Sequence, residues 1–169
     1  MGGGSSSLYW SARAKEVVTI ESDKEWFDKI KSQMKPNNYL HLKTAINTNA
    51  NDDYARFPTT LNKKFDIAII DGGGILSNDT RMLCAKVVKD ILNTQSKEGV
   101  MVILDNADWY SGIARFLREN DFIEIDFSGF GAINCYTWTT SIFLSRNFAF
   151  KPLDRQPNYS IAAIHHDII

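Results

Sequence analysis

Apolar and polar positions fall into short blocks of two kinds along the chain. Residues 17–20 (Val-Val-Thr-Ile), 39–42, 65–70 (Phe-Asp-Ile-Ala-Ile-Ile), 100–104 (Val-Met-Val-Ile-Leu), 122–127 and 139–145 are brief, rich in β-branched and aromatic side chains, and bounded by polar or glycine residues. Such runs predict strands. Between them, residues 5–14, 24–34, 80–92 and 111–119 carry apolar side chains at helical spacing, as in Trp26, Phe27 and Ile30 or Met82, Leu83, Val87 and Ile91. Ser22 or Asp23 can cap the second helix, and Pro36-Asn-Asn stops it. Residues 44–62, rich in Asn, Asp and Thr, predict the longest irregular loop. Residues 147–169 predict an extended tail, because Pro152 and Pro157 oppose a helix.

Strands alternating with helices predict an α/β fold with a mostly parallel sheet and helices on both faces. The last two strands lack a helix-sized connection, which predicts an antiparallel hairpin at the sheet edge, with Gly129-Phe-Gly131 bending the chain. One domain spanning residues 1–146, followed by the tail, suits a chain of 169 residues.

Composition narrows the partners. Hydrophobic residues make up 44% and charged residues 23%, with a formal net charge of −1. That balance gives no broad basic field, so the expectation is no nucleic acid. No apolar run reaches the roughly 20 residues of a membrane span, and no secretory signal is visible, so the expectation is no membrane and a cytoplasmic location. Cys84 and Cys135 read as reduced, packed thiols, and His165-His166 as tail residues. An exposed strand edge would invite a second copy, giving a homo-oligomer.

The chemistry concentrates at strand ends. Gly2-Gly-Gly4-Ser-Ser6-Ser7 opens onto the first helix, and glycine lets backbone approach a ligand closely. The same composition also fits a flexible linker. The next strand ends in Glu21, placed as a ribose-holding acid is in nucleoside-binding α/β folds. Two further strands end in Asp71 and in Asp105-Asn106. Two carboxylates and an amide oxygen suit Mg²⁺ or Ca²⁺ better than zinc, and each also reads as a cap for the segment that follows. Trp109 and Tyr110 come next, either walling an acceptor site or packing under a loop.

Taken in order, these motifs resemble class I S-adenosylmethionine-dependent methyltransferases with a Rossmann-like fold, and among them bacterial small-molecule O-methyltransferases. The resemblance rests on Gly2-Gly-Gly4-Ser-Ser6-Ser7-Leu-Tyr9-Trp10, Val17-Val-Thr-Ile-Glu21-Ser-Asp, Phe65-Asp-Ile-Ala-Ile-Ile-Asp71-Gly72, Gly99-Val-Met-Val-Ile-Leu-Asp105-Asn106 and the ending 127–143. It implies S-adenosylmethionine as cofactor, held by Gly2, Gly4, Ser6, Glu21, Ser22 and Asp71, and a small-molecule acceptor methylated on oxygen. It places Asp71 and Asp105 at the reaction. Asp71, Asp105 and Asn106 also resemble the Mg²⁺ ligands of catechol- and caffeoyl-coenzyme-A-type O-methyltransferases, and Trp109 and Tyr110 would face the substrate. An acid after the third strand, Asp52 or Asp53, would contact adenine.

One departure accompanies the resemblance. In that family a buried strand ending in an acid and an aromatic precedes the glycines, whereas here Met1 stands at the aromatic's place. The expectation is therefore a fold truncated at its N-terminus and lacking its first, central strand. The tail, with Ile161-Ala-Ala-Ile164, or a second chain could fill the gap. Two other readings stay open. One is a non-catalytic scaffold acting as a binding or assembly module. The other is a nicotinamide-dependent oxidoreductase, which would want a third glycine where Ser7 stands.

Overall fold

The computed structural model describes residues 1–44, 53–72, 78–131 and 135–151, with residues 78 and 79 described by their backbone alone. Helix α1 (Ser5–Ser11) leads into strand β1 (Val17–Glu21) and helix α2 (Lys24–Ile30). Asp23 caps α2 by accepting from the Trp26 amide at 2.7 Å. The helix stops sooner than expected, tightening into a 3₁₀ turn at Lys31–Gln33 before β2 (Asn38–Leu42).

The expected irregular loop contains a helix, α3 (Asp53–Thr60). Its polar composition and Pro58 hide it, because an interior proline lacks the amide a helix needs. Burial supplies what propensity does not: Tyr54, Ala55 and Pro58 form its inward face and are buried. Then come β3 (Ile67–Ile70), α4 (Asn78–Ile91), β4 (Met101–Leu104), α5 (Ser111–Glu119), β5 (Ile123–Phe130) and β6 (Thr137–Leu144). Strand β5 runs through Gly129, so the expected bend there is strand instead.

The strands form two sheets. In one, β1 and β2 are parallel, with Val17 opposite Asn38 and Glu21 opposite Leu42. The other has the order β3-β4-β6-β5. There β3 and β4 are parallel, and β6 runs antiparallel to both β4 and β5. The α/β class, the early parallel pairs and the closing antiparallel hairpin are all as the sequence predicts. The core joins Ile70, Val102, Leu104 and Phe143 of the larger sheet to Val88 of α4 and Leu117 of α5. Strand β5 is outermost and exposes Ile123, Ile125, Phe127 and Phe130. Cys84 is buried as expected, but Cys135 is exposed, and neither forms a disulfide among the described residues.

The two sheets do not meet as neighbouring strands. At one end, Met1 and Gly2 stand between them. The Met1 amine donates to the Ile69 carbonyl at 2.8 Å, and the Met1 carbonyl accepts from the Asp71 amide at 3.0 Å. The Gly2 amide donates to the Ile20 carbonyl at 2.9 Å. Beyond this bridge a cleft of about 690 Å³ runs between β1 and β3, with Val18, Ile20, Ile67 and Ile69 on its flanks. It lies where the sequence predicts an absent first strand. Among the described residues, no helix is long and apolar enough to cross a membrane.

Candidate functional site

The carboxyl ends of β1, β3 and β4 bring three acids to one end of the molecule. Glu21 ends β1 and is buried. One of its oxygens, Oε2, accepts from the Gly3 amide at 2.9 Å. The other, Oε1, accepts from the Ser22 amide at 2.6 Å and the Asp23 amide at 2.8 Å. A carboxylate has about four acceptor directions, so roughly one stays open. The Glu21 side chain therefore ties the glycine turn to the start of α2 and points a fixed oxygen beside it.

The glycines divide the work. Gly2 has φ +95°, and a Cβ there would lie 2.4 Å from the Asp71 carbonyl oxygen. Only glycine fits between the ends of β1 and β3 in that conformation. Gly3 supplies the amide to Glu21, and its carbonyl accepts from the Trp26 indole at 2.6 Å. Around Gly4 a Cβ would meet nothing within 4 Å, so its backbone faces open space. Ser6 lines the cleft between the sheets. Ser22 touches the site through its backbone amide to Glu21.

Asp71 follows β3 and Asp105 follows β4, and the parallel pairing of these strands sets the two acids side by side. Burial, the neighbouring Asp105 charge and a hydrogen bond between the carboxyls push the Asp71 carboxyl up to about 6. The Met1 amine and Arg81 act in the opposite direction. Burial pushes the Met1 amine below its usual range, against the pull of Asp71 and Glu21. Asp105 Oδ1 also accepts from the Thr140 hydroxyl at 2.7 Å. Asn106, at φ +53°, makes the turn out of β4, and its carbonyl accepts from the Trp109 amide at 2.9 Å.

Among the described residues, no three His, Cys, Asp or Glu side chains converge to hold an ion. The Asp71 carboxyl hydrogen-bonds the neighbouring Asp105. Trp109 and Tyr110 part company. Trp109 is exposed and stacks on Tyr136, ring centroids 6.3 Å apart, with Trp138 beyond. Tyr110 turns inward under the Arg81 guanidinium. Asp53 is the exposed first residue of α3, and Asp52 lies outside the described residues.

Arg81 is the functional-end residue that the sequence pattern misses. It is 2% exposed. Its Nε donates to the Gly72 carbonyl at 2.6 Å and its Nη1 to the Asp105 carbonyl at 3.0 Å. It thereby clamps the ends of β3 and β4 behind the acid pair. A cation in the first turns of a helix opposes the helix dipole, and that was the available signal. Tyr54, buried nearby, has a hydroxyl with no hydrogen-bond partner among the described residues.

This arrangement, three acids and a glycine turn, sits at the carboxyl ends of the strands of a Rossmann-like α/β fold. Solved structures of that fold align over most of the chain. One is a Streptococcus mutans protein described as a methyltransferase, in complex with SAH, at 16% identity, covering 85% of this chain and 84% of that one, with a TM-score of 0.55. Another is an rRNA methylase from Streptococcus thermophilus, at 12% identity, covering 86% and 83% respectively, with a TM-score of 0.60. No protein-family model and no curated protein matches the sequence.

Proposed function

We propose that this chain is an S-adenosylmethionine-dependent methyltransferase domain that binds its cofactor over the carboxyl ends of β1, β3 and β4. The observation that carries the reading is Glu21. Three backbone amides hold its carboxylate still, and the remaining acceptor direction suits a ribose hydroxyl. When bound, the cofactor supplies an electrophilic methyl group on a positively charged sulfur. Glu21, Asp71 and Asp105 together offer the negative field such a cation needs. Gly4 leaves room for close approach of the ligand. Gly2 serves by holding the turn against Asp71.

Asp71 is the general base of this reading. A carboxyl pushed up to about 6 lies closer to neutral pH than an ordinary one, so it accepts an acceptor hydroxyl's proton more readily. Asp105, anchored by Thr140, keeps it in place. The acceptor is a small molecule presenting oxygen, with Trp109 at the rim of its site. Exclusion of nucleic acid gains no support from the fold, since a protein that shares it is an rRNA methylase. The exposed β5 edge is the face through which a homo-oligomer would form.

The open cleft beside the glycine turn favours a second reading, a scaffold that has lost its chemistry. Calorimetric titration of S-adenosylmethionine into the folded chain separates the two. Saturable binding, weakened at least about tenfold by Glu21→Ala, is expected, since a charged hydrogen bond is worth about 1.5–3 kcal/mol. A folded chain that does not bind would favour the scaffold and sink the enzyme reading.

A further inference from the structure

We propose that the Tyr54 hydroxyl accepts a hydrogen bond from the charged amino group of S-adenosylmethionine, which makes Tyr54 a binding residue for the amino-acid end of the cofactor. The inference rests on the methyltransferase reading and adds to it a residue and the ligand group that residue meets.

Tyr54 is the second residue of α3 and faces the interior with Ala55 and Pro58. It is 1% exposed, and its hydroxyl oxygen has no hydrogen-bond partner among the described residues. A buried hydroxyl left unpaired is unfavourable, and phenylalanine would fill nearly the same space without that loss. Such groups are rare in native structures, and each asks for a partner that arrives from elsewhere. The position of Tyr54 says where that partner would be. It shares its buried cluster with Ile20, which precedes Glu21, and with Ile70, which precedes Asp71. The side chain thus reaches from α3 toward the carboxyl ends of β1 and β3. The glycine turn lies at the same place, since the Gly2 amide donates to the Ile20 carbonyl.

The charges around the hydroxyl select the chemistry of the partner. Glu21 and Asp71 lie within electrostatic reach of it, opposed by Arg81. Arg81 already donates through Nε to the Gly72 carbonyl and through Nη1 to the Asp105 carbonyl. Two acids against one guanidinium leave the surroundings negative on balance, which disfavours a carboxylate and favours a cation. Burial, then the neighbouring Cys84 and Glu21, push the phenol well above its usual range. The hydroxyl therefore stays neutral, and its oxygen keeps lone pairs to offer a donor. S-adenosylmethionine carries such a donor, the ammonium of its amino-acid end, joined through sulfur to the ribose that Glu21 would hold. A hydrogen bond from an ammonium is charge-assisted and stronger than one between neutral groups.

Tyr54→Phe in the full chain tests this through two readouts. In urea unfolding without ligand, the variant should be at least as stable as the parent, because the deleted hydroxyl had no partner. In calorimetry, its affinity for S-adenosylmethionine should fall at least about tenfold. Its affinity for methylthioadenosine, which keeps the adenine, ribose and sulfur but lacks the amino-acid end, should match the parent's. Glu21→Ala should weaken both ligands, since both carry the ribose. A clear loss of stability in the free variant would show that the hydroxyl is already satisfied, and overturns the proposal. An equal loss of affinity for both ligands would place the hydroxyl at the nucleoside end, and overturns it too. A parent that binds both ligands and responds to Glu21→Ala but not to Tyr54→Phe sinks this inference alone. A folded parent that binds neither ligand sinks the methyltransferase reading and this inference with it.

Discussion

The two sheets are held together by different chemistry. In the four-stranded sheet the deepest positions are Val102, Leu104, Ile70 and Phe143, packed on Leu117 and Val88 of the helices. Each such side chain contributes about 1.5–3 kcal/mol through loss of contact with water. In the two-stranded sheet the buried set includes Thr19, Asn38, Ser7 and Ser11. Here the Thr19 hydroxyl donates to Asn38 Oδ1 at 2.9 Å, and Asn38 Nδ2 donates to Ser11 Oγ at 3.0 Å and to the Ser7 carbonyl at 3.3 Å. The Ser11 hydroxyl closes the set on the Ser7 carbonyl at 2.6 Å. An apolar core tolerates a shifted neighbour. A buried polar network does not, because each lost partner leaves a desolvated group. The smaller sheet thus depends on helix α1 staying in register, and α1 begins directly after the glycine turn.

That dependence makes the turn the sharpest place to break the molecule. Gly2→Val would force a side chain into the Asp71 backbone and hold it at a positive φ. We expect a loss of about 4 kcal/mol or more, measured by urea unfolding. Exchange protection should fall first in β1 and β2, with β4 and β6 keeping theirs. Uniform loss across both sheets would show that they unfold as one unit.

Asn38→Ala strikes the smaller sheet alone. It strands the Thr19 hydroxyl and removes one partner each from the Ser11 hydroxyl and the Ser7 carbonyl, which still bond each other, so it should cost about 1–3 kcal/mol. The affinity for S-adenosylmethionine should fall with it, since Glu21 ends the strand that Asn38 pairs with. Unchanged affinity with the full stability loss would mean that Glu21 is positioned by its three amides without help from β2.

The same contrast explains what could be read from the chain. The aliphatic strands announce themselves, because short β-branched runs bounded by polar residues have few other uses. The acids at their ends follow from chain order alone. Which acids meet does not: Asp71 and Asp105 become partners because β3 and β4 pair, and that is a tertiary fact. Helix α3 escaped because Pro58 and its polar neighbours argue against a helix, while the burial of Tyr54 that sustains it depends on the rest of the molecule. Arg81 escaped because one arginine on an amphipathic helix reads as solvent-facing. Gly3 was given no role beside Gly2 and Gly4, although it is the glycine whose amide reaches Glu21.

The remaining effect we expect separates the sheets by pH. Asp71 titrates in the folded chain near 6, against 3.8 for an unperturbed aspartate. A raised acid pKa means the folded state holds the proton more tightly than the unfolded state. The associated stability is fully present below about pH 3.8 and is lost as pH rises through about 6. At about 1.36 kcal/mol per pKa unit, the swing should be about 3 kcal/mol. The Met1 amine, pushed downward, works in the opposite sense at higher pH and is present in both proteins compared. Asp71→Asn should remove the carboxyl's contribution, so the stability difference between variant and parent should change across pH 4 to 7 by most of that amount. The change should be visible in unfolding of the four-stranded sheet, whose strands β3 and β4 carry the acid pair. A pH-independent difference would mean that the Asp71 carboxyl is not raised in the folded chain, and Asp71 would lose its standing as the base.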